Sequence, residues 1–430
     1  MTTMQTLIPI IPDDIARKAV LPESYTNDDT YRGAYKWLRT NMPLGQAHIE
    51  GYDPLWLVTK YADIRHVERN SELFHAGDEN PILNDQANDA FQRSMNNGSI
   101  RVLDVHPYLD QPEHRQVRAV ANEWFSAAKQ RTFESEMRKH AKASVEQLLD
   151  TGGVADFYTD FAQAYPLRVI MSLLGVPPSE EPRMHRLTQE FFGTQDPETQ
   201  RAEVQLEPTA AAQMWAAAIA DFFAYFGELS ESRRKCPQDD LATLLVNATM
   251  NGAPLDERYI NGYYLAAATA GHDTTAATIA GGMWGLLRFP DQWARLKSSP
   301  DAIKPFVEES VRWTSPVRHF MRSATQDTEI RGQSIAKGER LMLLFASANR
   351  DEEQFAAPDE FRIDRTETHI GYGFGAHMCI GMHTAKLEMN ILWEELLPHI
   401  KSVELAGDVK LAHTNFVGGL QHLPITFTKV

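Results

Sequence analysis

One long stretch of small and apolar side chains, from Ile260 to Phe289, constrains the fold most strongly. A stretch of this length must be buried, either in a membrane or in the interior of a large protein. Asn261, His272 and Asp273 interrupt it, and charged groups near the centre of a membrane span are costly. We therefore expect a long helix that crosses the core of a soluble protein.

The size and charge of the chain limit its function further. It has 430 residues and a formal net charge of −16 at pH 7. This acidic balance argues against general binding to nucleic acids or anionic membranes, because both need basic surface. With only two cysteines, no disulfide framework is expected and a reducing compartment is indicated. Residues 1–20 show no signal peptide or membrane anchor, which predicts a cytoplasmic protein.

The chain shows no linker, low-complexity run or internal repeat, which favours one domain over residues 1–430. Helical periodicity dominates about residues 110–312, and strand patterns occur mainly at about 30–75 and 315–430. The sequence thus predicts a mainly α fold with a small β portion. Local predictions are a strand from Pro54 to Val58, an irregular polar region from about Phe74 to Asp110, an acidic loop from Gly193 to Pro208, a strand from Arg340 to Phe345 and a terminal helix from about Ile380 to Leu397.

Cys379 lies in a glycine-rich segment, Tyr372 to Gly381, directly before the terminal helical pattern. A thiol at a helix N-terminus lies at the positive end of the helix dipole, which favours the thiolate. A thiolate can ligate haem iron and push electron density towards it, an arrangement suited to cleaving O–O bonds. A lone cysteine is more commonly a small buried apolar residue, so this segment alone supports the two interpretations about equally.

The segment from Ala270 to Thr275, Ala-Gly-His-Asp-Thr-Thr, lies in the middle of the long apolar stretch. Glycine there weakens a helix and lets a flat group approach the backbone. A threonine hydroxyl that bonds back to the preceding turn can open the helix locally, and a carboxyl beside that opening would complete a proton path. Close packing of small residues is the simpler explanation, and it is favoured for this segment taken alone.

Two pairs of residues are spaced to share one helix face. Glu309 and Arg312 are spaced i, i+3, which is typical of a weak, solvated ion pair. His114 and Arg118 are spaced i, i+4, and two donors on one face suit a carboxylate ligand. A solvated basic face is the plainer interpretation of the second pair.

In their order along the chain, these four motifs resemble those of bacterial cytochromes P-450. Gly375, His377, Cys379 and Gly381 match the haem-binding loop of the family, and Tyr372 stands where the family usually has phenylalanine. The resemblance spans nearly the whole chain and implies the cytochrome P-450 fold, with haem between the long central helix and the Cys-loop helix. Three runs resemble the α-terpineol-hydroxylating branch: His48 to Pro54, Phe320 to Arg322 and Thr414 to Gly419.

The resemblance implies haem b as the cofactor, with the Cys379 thiolate as axial ligand of the iron. It implies that Asp273 and Thr274, with water, deliver the protons for O–O cleavage. Glu309 and Arg312 become a buried pair that supports the haem loop. The usual third member of that pair is an arginine at the position of Glu360, so either Arg362 or Arg365 is left to replace it. The expected haem contacts are His114, Arg118, Ala270, Gly271, Arg322, Phe374, Gly375, His377, Cys379, Gly381 and Ala385, with His114, Arg118, Arg322 and His377 at the propionates.

The activity implied by the resemblance is a monooxygenase reaction that inserts one oxygen atom of O₂ into a hydrophobic substrate. Two cysteines cannot house a Cys-ligated iron–sulfur cluster, so electrons must come from other proteins. By resemblance these are a [2Fe–2S] ferredoxin and its NAD(P)H-dependent reductase, docked on a basic patch with Arg115, Lys129 and Arg131 as candidates. No nucleic acid or membrane partner is expected, and the protein is expected to be a monomer.

The substrate pocket is expected to be apolar, which suits a monoterpenoid or an aromatic or polycyclic hydrocarbon. Arg318 and His319 are expected to point away from it. The walls are assigned to Ala266, Ala267, Ala270, Val317, Phe320, Phe416 and Val417, with Leu83, Met95, Val102 and Leu103 as further candidates and Phe191 and Phe192 at the roof.

Three other functions were weighed against this one. Gly371, Gly373 and Ala376 fit a dinucleotide fingerprint, but the residues before them are polar, whereas that motif needs a buried strand. A haem-thiolate sensor or carrier without turnover would have no need of the proton path that Asp273 and Thr274 suggest. Peroxide-driven oxidation is the third alternative, and the retained acid–alcohol pair argues against it as well.

Overall fold

A computed structural model describes residues 8–101, 104–192 and 208–430. Several sequence-based assignments fall outside this description. They are Val102, Leu103, the side chains of Phe191 and Phe192, and the predicted acidic loop up to residue 207.

Helices make up most of the described chain, and the longest of them lie in its middle. They are α1 (Asp13–Val20), α2 (Asp28–Asn41), α3 (Tyr61–Arg69), α4 (Gln86–Met95), α5 (Glu113–Ala121), α6 (Ala127–Arg131), α7 (Glu134–Asp150), α8 (Ala164–Leu174), α9 (Glu181–Phe192), α10 (Pro208–Lys235), α11 (Leu241–Asn247), α12 (Glu257–Ala270), α13 (Asp273–Arg288), α14 (Pro290–Ser298), α15 (Ile303–Thr314), α16 (Phe345–Ala348) and α17 (Met382–Leu396).

The strands are short and lie mainly towards the two ends of the chain. They are β1 (Leu44–Ala47), β2 (Leu55–Val58), β3 (Phe74–His75), β4 (Val154–Asp156), β5 (Thr249–Met250), β6 (Ala253–Pro254), β7 (His319–Ala324), β8 (Thr328–Ile330), β9 (Gln333–Ile335), β10 (Arg340–Leu344), β11 (Ile400–Leu405), β12 (Lys410–Leu411), β13 (Leu420–His422) and β14 (Pro424–Lys429).

The largest sheet joins the two strand-rich parts of the chain. Its order is β1-β2-β10-β7-β3, with β10 parallel to β2 and antiparallel to β7. All five residues of β10 are buried. Because successive side chains of a strand point to opposite faces, Leu341 and Leu343 join the apolar cluster on one face, and Met342 and Leu344 join the cluster on the other. A second sheet has the order β11-β14-β4.

The long apolar stretch forms α12 and α13, which run through the largest apolar cluster. Small residues let neighbouring helices come close. A side chain added at Gly281 would overlap Thr314 of α15, and one added at Gly282 would overlap Ser310 of the same helix. No helix in the described part of the chain is both long enough and apolar enough to cross a membrane.

The structure confirms the mainly α fold with a small β portion and corrects two local predictions. The region from Phe74 to Asp110 was expected to be irregular, but it contains α4, whose N-cap Asp85 accepts a hydrogen bond from Asn88 N. None of the ten side chains of α4 is buried, so the helix leaves no continuous apolar pattern in the sequence. The second correction is a break at Gly271 and His272, where one helix was expected.

Candidate active site

The Cys379 loop is a tight turn held by its own backbone. Gly373 and Gly375 have φ values of +71° and +68°, a region that glycine adopts without the clash of a Cβ atom. The Cys379 N–H donates to the Tyr372 carbonyl oxygen over 2.8 Å. Cys379 is accessible, yet the protein around it desolvates its thiol, so its sulfur faces a space bounded by other parts of the protein.

A buried carboxylate that the sequence did not single out holds this loop in place. Glu68 of α3 accepts a hydrogen bond from Phe374 N over 3.0 Å and another from Arg322 Nη2 over 2.5 Å. A Cβ atom added at Gly375 would overlap the Glu68 carbonyl oxygen. Glu68 therefore ties the loop to α3 and to β7, and no local signal in the sequence marks it.

The protein alone does not make Cys379 acidic, contrary to the expectation from its place before a helix. Burial raises the pKa of the thiol, and this effect outweighs the N–H groups of Gly381 and Met382 and the positive charge of Arg118. A bound metal ion deprotonates a coordinating thiol outright. Thiolate formation at this position is therefore expected to accompany metal binding.

The helix break places an acid and an alcohol side by side. The Thr274 hydroxyl donates to the Ala270 carbonyl oxygen over 3.0 Å, as the sequence suggested. The Oδ1 atom of Asp273 lies 3.3 Å from Nε2 of His272, whose side chain is fully buried. Burial raises the pKa of the Asp273 carboxyl to about 7, and the only opposing effect is the charge of His185 on α9. This carboxyl can therefore gain or lose a proton near neutral pH.

A buried hydrogen bond joins the helix break to the helix of the Cys loop. The Thr275 hydroxyl, next to Thr274, donates to Glu388 Oε1 of α17 over 3.0 Å. Ala270 is exposed in the middle of the protein. Exposed Ala270 lies just before the helix that contacts α17, and exposed Cys379 lies just before α17 itself, which indicates that both border one internal space.

Basic and histidine side chains gather at one edge of this site. The rings of His114 and His377 lie 4.2 Å apart, and Arg118 Nη2 donates to the Met378 carbonyl oxygen over 2.6 Å. Burial, and then the charge of Arg322, lowers the pKa of His377 well below its ordinary value. The Nε2 atom of His114 is buried and has no hydrogen-bond partner in the described part of the chain.

These features fit a flat, anionic, iron-containing group. One sulfur faces the internal space, the long helix is broken at Gly271 and His272, and an unsatisfied histidine nitrogen marks one edge. His114 offers a buried ring nitrogen without an acceptor, as a carboxylate ligand would require. The residues present therefore suit haem with its propionates at His114, Arg118 and His377. Arg322 lies at the same edge, although the structure pairs it with Glu68.

The ion pair predicted below the loop is buried and has a third member. Glu309 binds Arg312 through two hydrogen bonds of 2.7 Å, and both side chains are 1% exposed. Arg365 Nε donates to Glu309 Oε1 over 3.1 Å. Arg365 is therefore the replacement that the sequence left open, whereas Arg362 contributes its backbone N–H and Glu360 its carbonyl oxygen. The Tyr372 hydroxyl is buried without a hydrogen-bond partner among the described residues.

The remaining predicted site residues lie on the elements around this space. Gly381 and Ala385 are joined by a 2.9 Å backbone hydrogen bond at the start of α17, and the Arg65 guanidinium stacks on the Phe374 ring at 4.3 Å. Val317 forms a β-bridge with Val417. The wall candidates are partly exposed, apart from Phe416, which is buried: Ala266, Ala267, Val317, Phe320 and Val417.

Comparison with known proteins agrees with this geometry. The family model for cytochrome P450 matches residues 301–415. The chain is 49% identical to cytochrome P450-terp from Pseudomonas sp over 97% of this chain and 98% of that protein. It is 33% identical to linalool 8-monooxygenase from Pseudomonas putida over 86% and 89% of the two chains.

A solved structure shows the same architecture. The crystal structure of CYP108D1 from Novosphingobium aromaticivorans superimposes with a TM-score of 0.91 at 35% identity, covering 98% of this chain and 100% of that one. The structural similarity between the two chains extends over both strand-rich parts and the helical part of this chain. The chain therefore belongs to the cytochrome P450 family and is a monooxygenase with haem b as its cofactor.

Proposed function

We propose that this monooxygenase inserts one oxygen atom of O₂ into a neutral monoterpenoid or hydrocarbon of similar size, with Cys379 as the iron ligand and electrons from a [2Fe–2S] ferredoxin. The observation that carries the proposal is that exposed Cys379 precedes α17, which is hydrogen-bonded to the helix that begins after the break at Gly271, with Asp273 and Thr274 beside that break. A sensor or carrier without turnover would gain nothing from an acid of raised pKa at this position.

Bound through a thiolate, haem b supplies the iron chemistry that cleaves the O–O bond. The chain supplies protons. With its pKa near 7, Asp273 can hold a proton in the interior and release it at neutral pH. Thr274 lies one residue further along the same turn, and its hydroxyl is bonded to the carbonyl oxygen of Ala270 at the break. His272 and His185 are the titratable groups that face Asp273 in the described part of the chain.

Asp273→Asn is expected to slow product formation and to divert electrons from NAD(P)H into peroxide. In the wild type, coupling of NAD(P)H use to product should fall as the pH rises through about 7, because the carboxyl then loses its proton. The asparagine variant should show low coupling without this pH dependence. Measuring NAD(P)H, product and peroxide between pH 6 and 8.5 checks both results.

Stability provides a second readout for the same residue. Because the folded-state pKa of Asp273 is raised, its carboxyl favours the folded state at low pH, and this contribution is lost as the pH rises from about 4 to about 7. Asp273→Asn should therefore raise the melting temperature at pH 8 more than at pH 5. Thr274→Ala is the matched control, since it should lose coupling while keeping the wild-type pH dependence of stability. Equal effects of Asp273→Asn at both pH values would contradict the assignment.

The walls of the internal space support a neutral substrate. The described candidates are alanine, valine, phenylalanine, leucine and methionine side chains, and no charged group lies among them. Arg318 turns away and donates to the Thr414 carbonyl oxygen over 2.6 Å, and its guanidinium stacks on Tyr25 at 4.6 Å. A carboxylate substrate would lose its hydration here without gaining a partner. The names of two relatives, cytochrome P450-terp and linalool 8-monooxygenase, agree with a terpenoid.

The substrate proposal is tested by two ligands of equal size and different charge. Linalool, a neutral monoterpene alcohol, is expected to displace water from the iron and shift its spin state, which changes the Soret absorption. Geranic acid, a monoterpene carboxylate, is expected to bind at least about tenfold more weakly at pH 8, because its charge would be buried unpaired. Tighter binding of geranic acid would overturn the neutral-substrate proposal.

The electron-donor proposal depends on basic surface near the loop. Among the three candidates, Arg115 and Arg131 are exposed, whereas Lys129 is paired with Asp239 at 2.7 Å and is the weakest of them. An acidic ferredoxin would be attracted to such a patch in a salt-dependent way. Rates of reduction by a [2Fe–2S] ferredoxin that fall with ionic strength, and fall again in Arg115→Ala, would support docking there.

A further inference from the structure

His319, the first residue of β7, is fully buried and uses both ring nitrogens in hydrogen bonds to distant backbone segments. Its Nδ1 lies 2.8 Å from the Asn415 carbonyl oxygen. Its Nε2 lies 3.1 Å from the backbone nitrogen of Leu83. One imidazole therefore connects residues 236 positions before it and 96 positions after it.

The two partners fix the chemical state of the ring. A backbone N–H can only donate, so Nε2 must be the acceptor for Leu83. A carbonyl oxygen can only accept, so Nδ1 must carry the hydrogen. Burial, and then the charges of Arg340 and Arg318, lowers the pKa of His319 to about 4, although the Asn415 carbonyl opposes this. The ring is therefore neutral at physiological pH, as both hydrogen bonds require.

Each of the two segments leads directly to a part of the proposed pocket. Asn415 precedes Phe416 and Val417, and the His319 ring lies 5.5 Å from the Phe416 ring. Leu83 precedes α4, which has no buried side chain of its own to fix its position. The position of α4 therefore depends on polar contacts, such as Gln86 N with the Gly51 carbonyl oxygen and Asp89 with Arg340, and on the segment before it.

Two backbone hydrogen bonds also attach these segments to the start of β7, but each of these hydrogen bonds involves only one of the two segments. Met321 N donates to the Pro81 carbonyl oxygen over 2.8 Å, and Arg318 N donates to the Phe416 carbonyl oxygen over 2.9 Å. His319 is the side chain in the described part of the chain that bonds to both.

We propose that His319 is a positioning residue that couples the anchor of α4 to the wall formed by Phe416 and Val417, and thereby sets the shape of the substrate pocket. Movement of α4 away from the pocket would break the Leu83–His319 bond, and the freed Nε2 would be buried without a partner. The inference rests on the proposed function only in assigning the Phe416 wall to the substrate side.

Two variants separate the two halves of the coupling. In His319→Asn, the side-chain amide can occupy the place of Nδ1 and keep the bond to Asn415, while Leu83 N–H loses its acceptor. In His319→Gln, the longer side chain can place an oxygen where Nε2 was and keep the bond to Leu83, while the Asn415 carbonyl loses its donor. Amide hydrogen exchange of Leu83 in the haem-loaded protein is expected to be about tenfold faster in His319→Asn and near the wild-type rate in His319→Gln. Unchanged exchange at the β10 amides verifies that both variants are folded.

Pocket shape is read with two probes that do not depend on the natural substrate. Imidazole and 4-phenylimidazole both ligate haem iron from the substrate side, and the ratio of their Kd values isolates the contacts of the phenyl ring. Both variants are expected to change this ratio by about fivefold or more.

An unchanged, wild-type rate of amide exchange at Leu83 in His319→Asn would overturn the coupling. Faster exchange with an unchanged Kd ratio in both variants would overturn the role in pocket shape. A failure of linalool to shift the spin state would affect only the proposed substrate.

Discussion

Replacement of Cys379 by serine is expected to abolish the absorption spectrum of haem–thiolate ligation while leaving the fold intact. Serine has nearly the same size, but its hydroxyl is not a thiolate donor for iron. The backbone hydrogen bond from Cys379 N to Tyr372 O does not involve the side chain and should persist. The measurement is the spectrum of the reduced protein with carbon monoxide, together with monooxygenase activity, which should fall below detection.

The chain contains its own control for this experiment. Cys236 is the other cysteine, and it is also exposed, close to the end of α10. Its sulfur accepts a hydrogen bond from Gln238 over 3.3 Å and lies far along the chain from the haem loop. Cys236→Ser should keep the wild-type spectrum and activity. A thiolate spectrum that survives in Cys379→Ser and disappears in Cys236→Ser would show that the ligand had been wrongly assigned.

The second large effect is expected at Glu309. Its carboxylate pairs with two guanidinium groups, Arg312 and Arg365, whose side chains are 1% and 5% exposed. Glu309→Gln would leave Arg312 buried without an acid partner and Arg365 with only Glu367, at 3.9 Å, at a cost of about 3–5 kcal/mol in the free energy of unfolding. The Arg312 donors also hold the carbonyl oxygens of Asn349 and Pro358, so haem should be lost faster as the supporting segment loosens. Urea unfolding and the rate of haem transfer to apomyoglobin measure the two effects.

An exposed ion pair provides the comparison. Asp13 and Arg17 are spaced i, i+4 and lie 2.9 Å apart with side chains 67% and 43% exposed. Asp13→Asn should change stability by less than about 1 kcal/mol, since solvent screens such pairs. If Glu309→Gln proves as mild as Asp13→Asn, the buried network does not support the haem loop in the way inferred. Adding Arg365→Leu should recover part of the loss caused by Glu309→Gln, because one of two neighbouring buried positive charges is removed.

The parts of the site that the sequence revealed are those in which chemistry and spacing are local. The glycine-rich segment before Cys379 and the Gly-His-Asp-Thr segment each span only a few residues. The glycines allow a tight turn in the first and a local opening of the helix in the second. The buried strand from Arg340 to Leu344 was visible for the same reason, since all five of its residues are apolar or have apolar stems. Local patterns of this kind predicted the mainly α fold with a small β portion, whereas the choice of Cys379 as iron ligand rested on the order of the four motifs and the family resemblance.

The parts that were missed depend on contacts between distant segments. Glu68 gives no local signal, yet it binds Arg322 and the haem loop across more than 250 positions. The choice between Arg362 and Arg365 required the geometry around Glu309. The helix α4 was overlooked because its side chains are not buried and so carry no periodic apolar pattern. The expected preference of Cys379 for the thiolate was reversed because desolvation outweighs the nearby N–H groups.

The central claim is that one sulfur atom of this chain binds iron. Iron K-edge X-ray absorption of the resting enzyme tests it most directly, because the fine structure distinguishes a sulfur neighbour from nitrogen and oxygen. The expected result is a single sulfur in the iron coordination shell of the wild type and of Cys236→Ser, and none in Cys379→Ser. A wild-type shell of nitrogen and oxygen alone, or a sulfur neighbour that remains in Cys379→Ser, would contradict the claim.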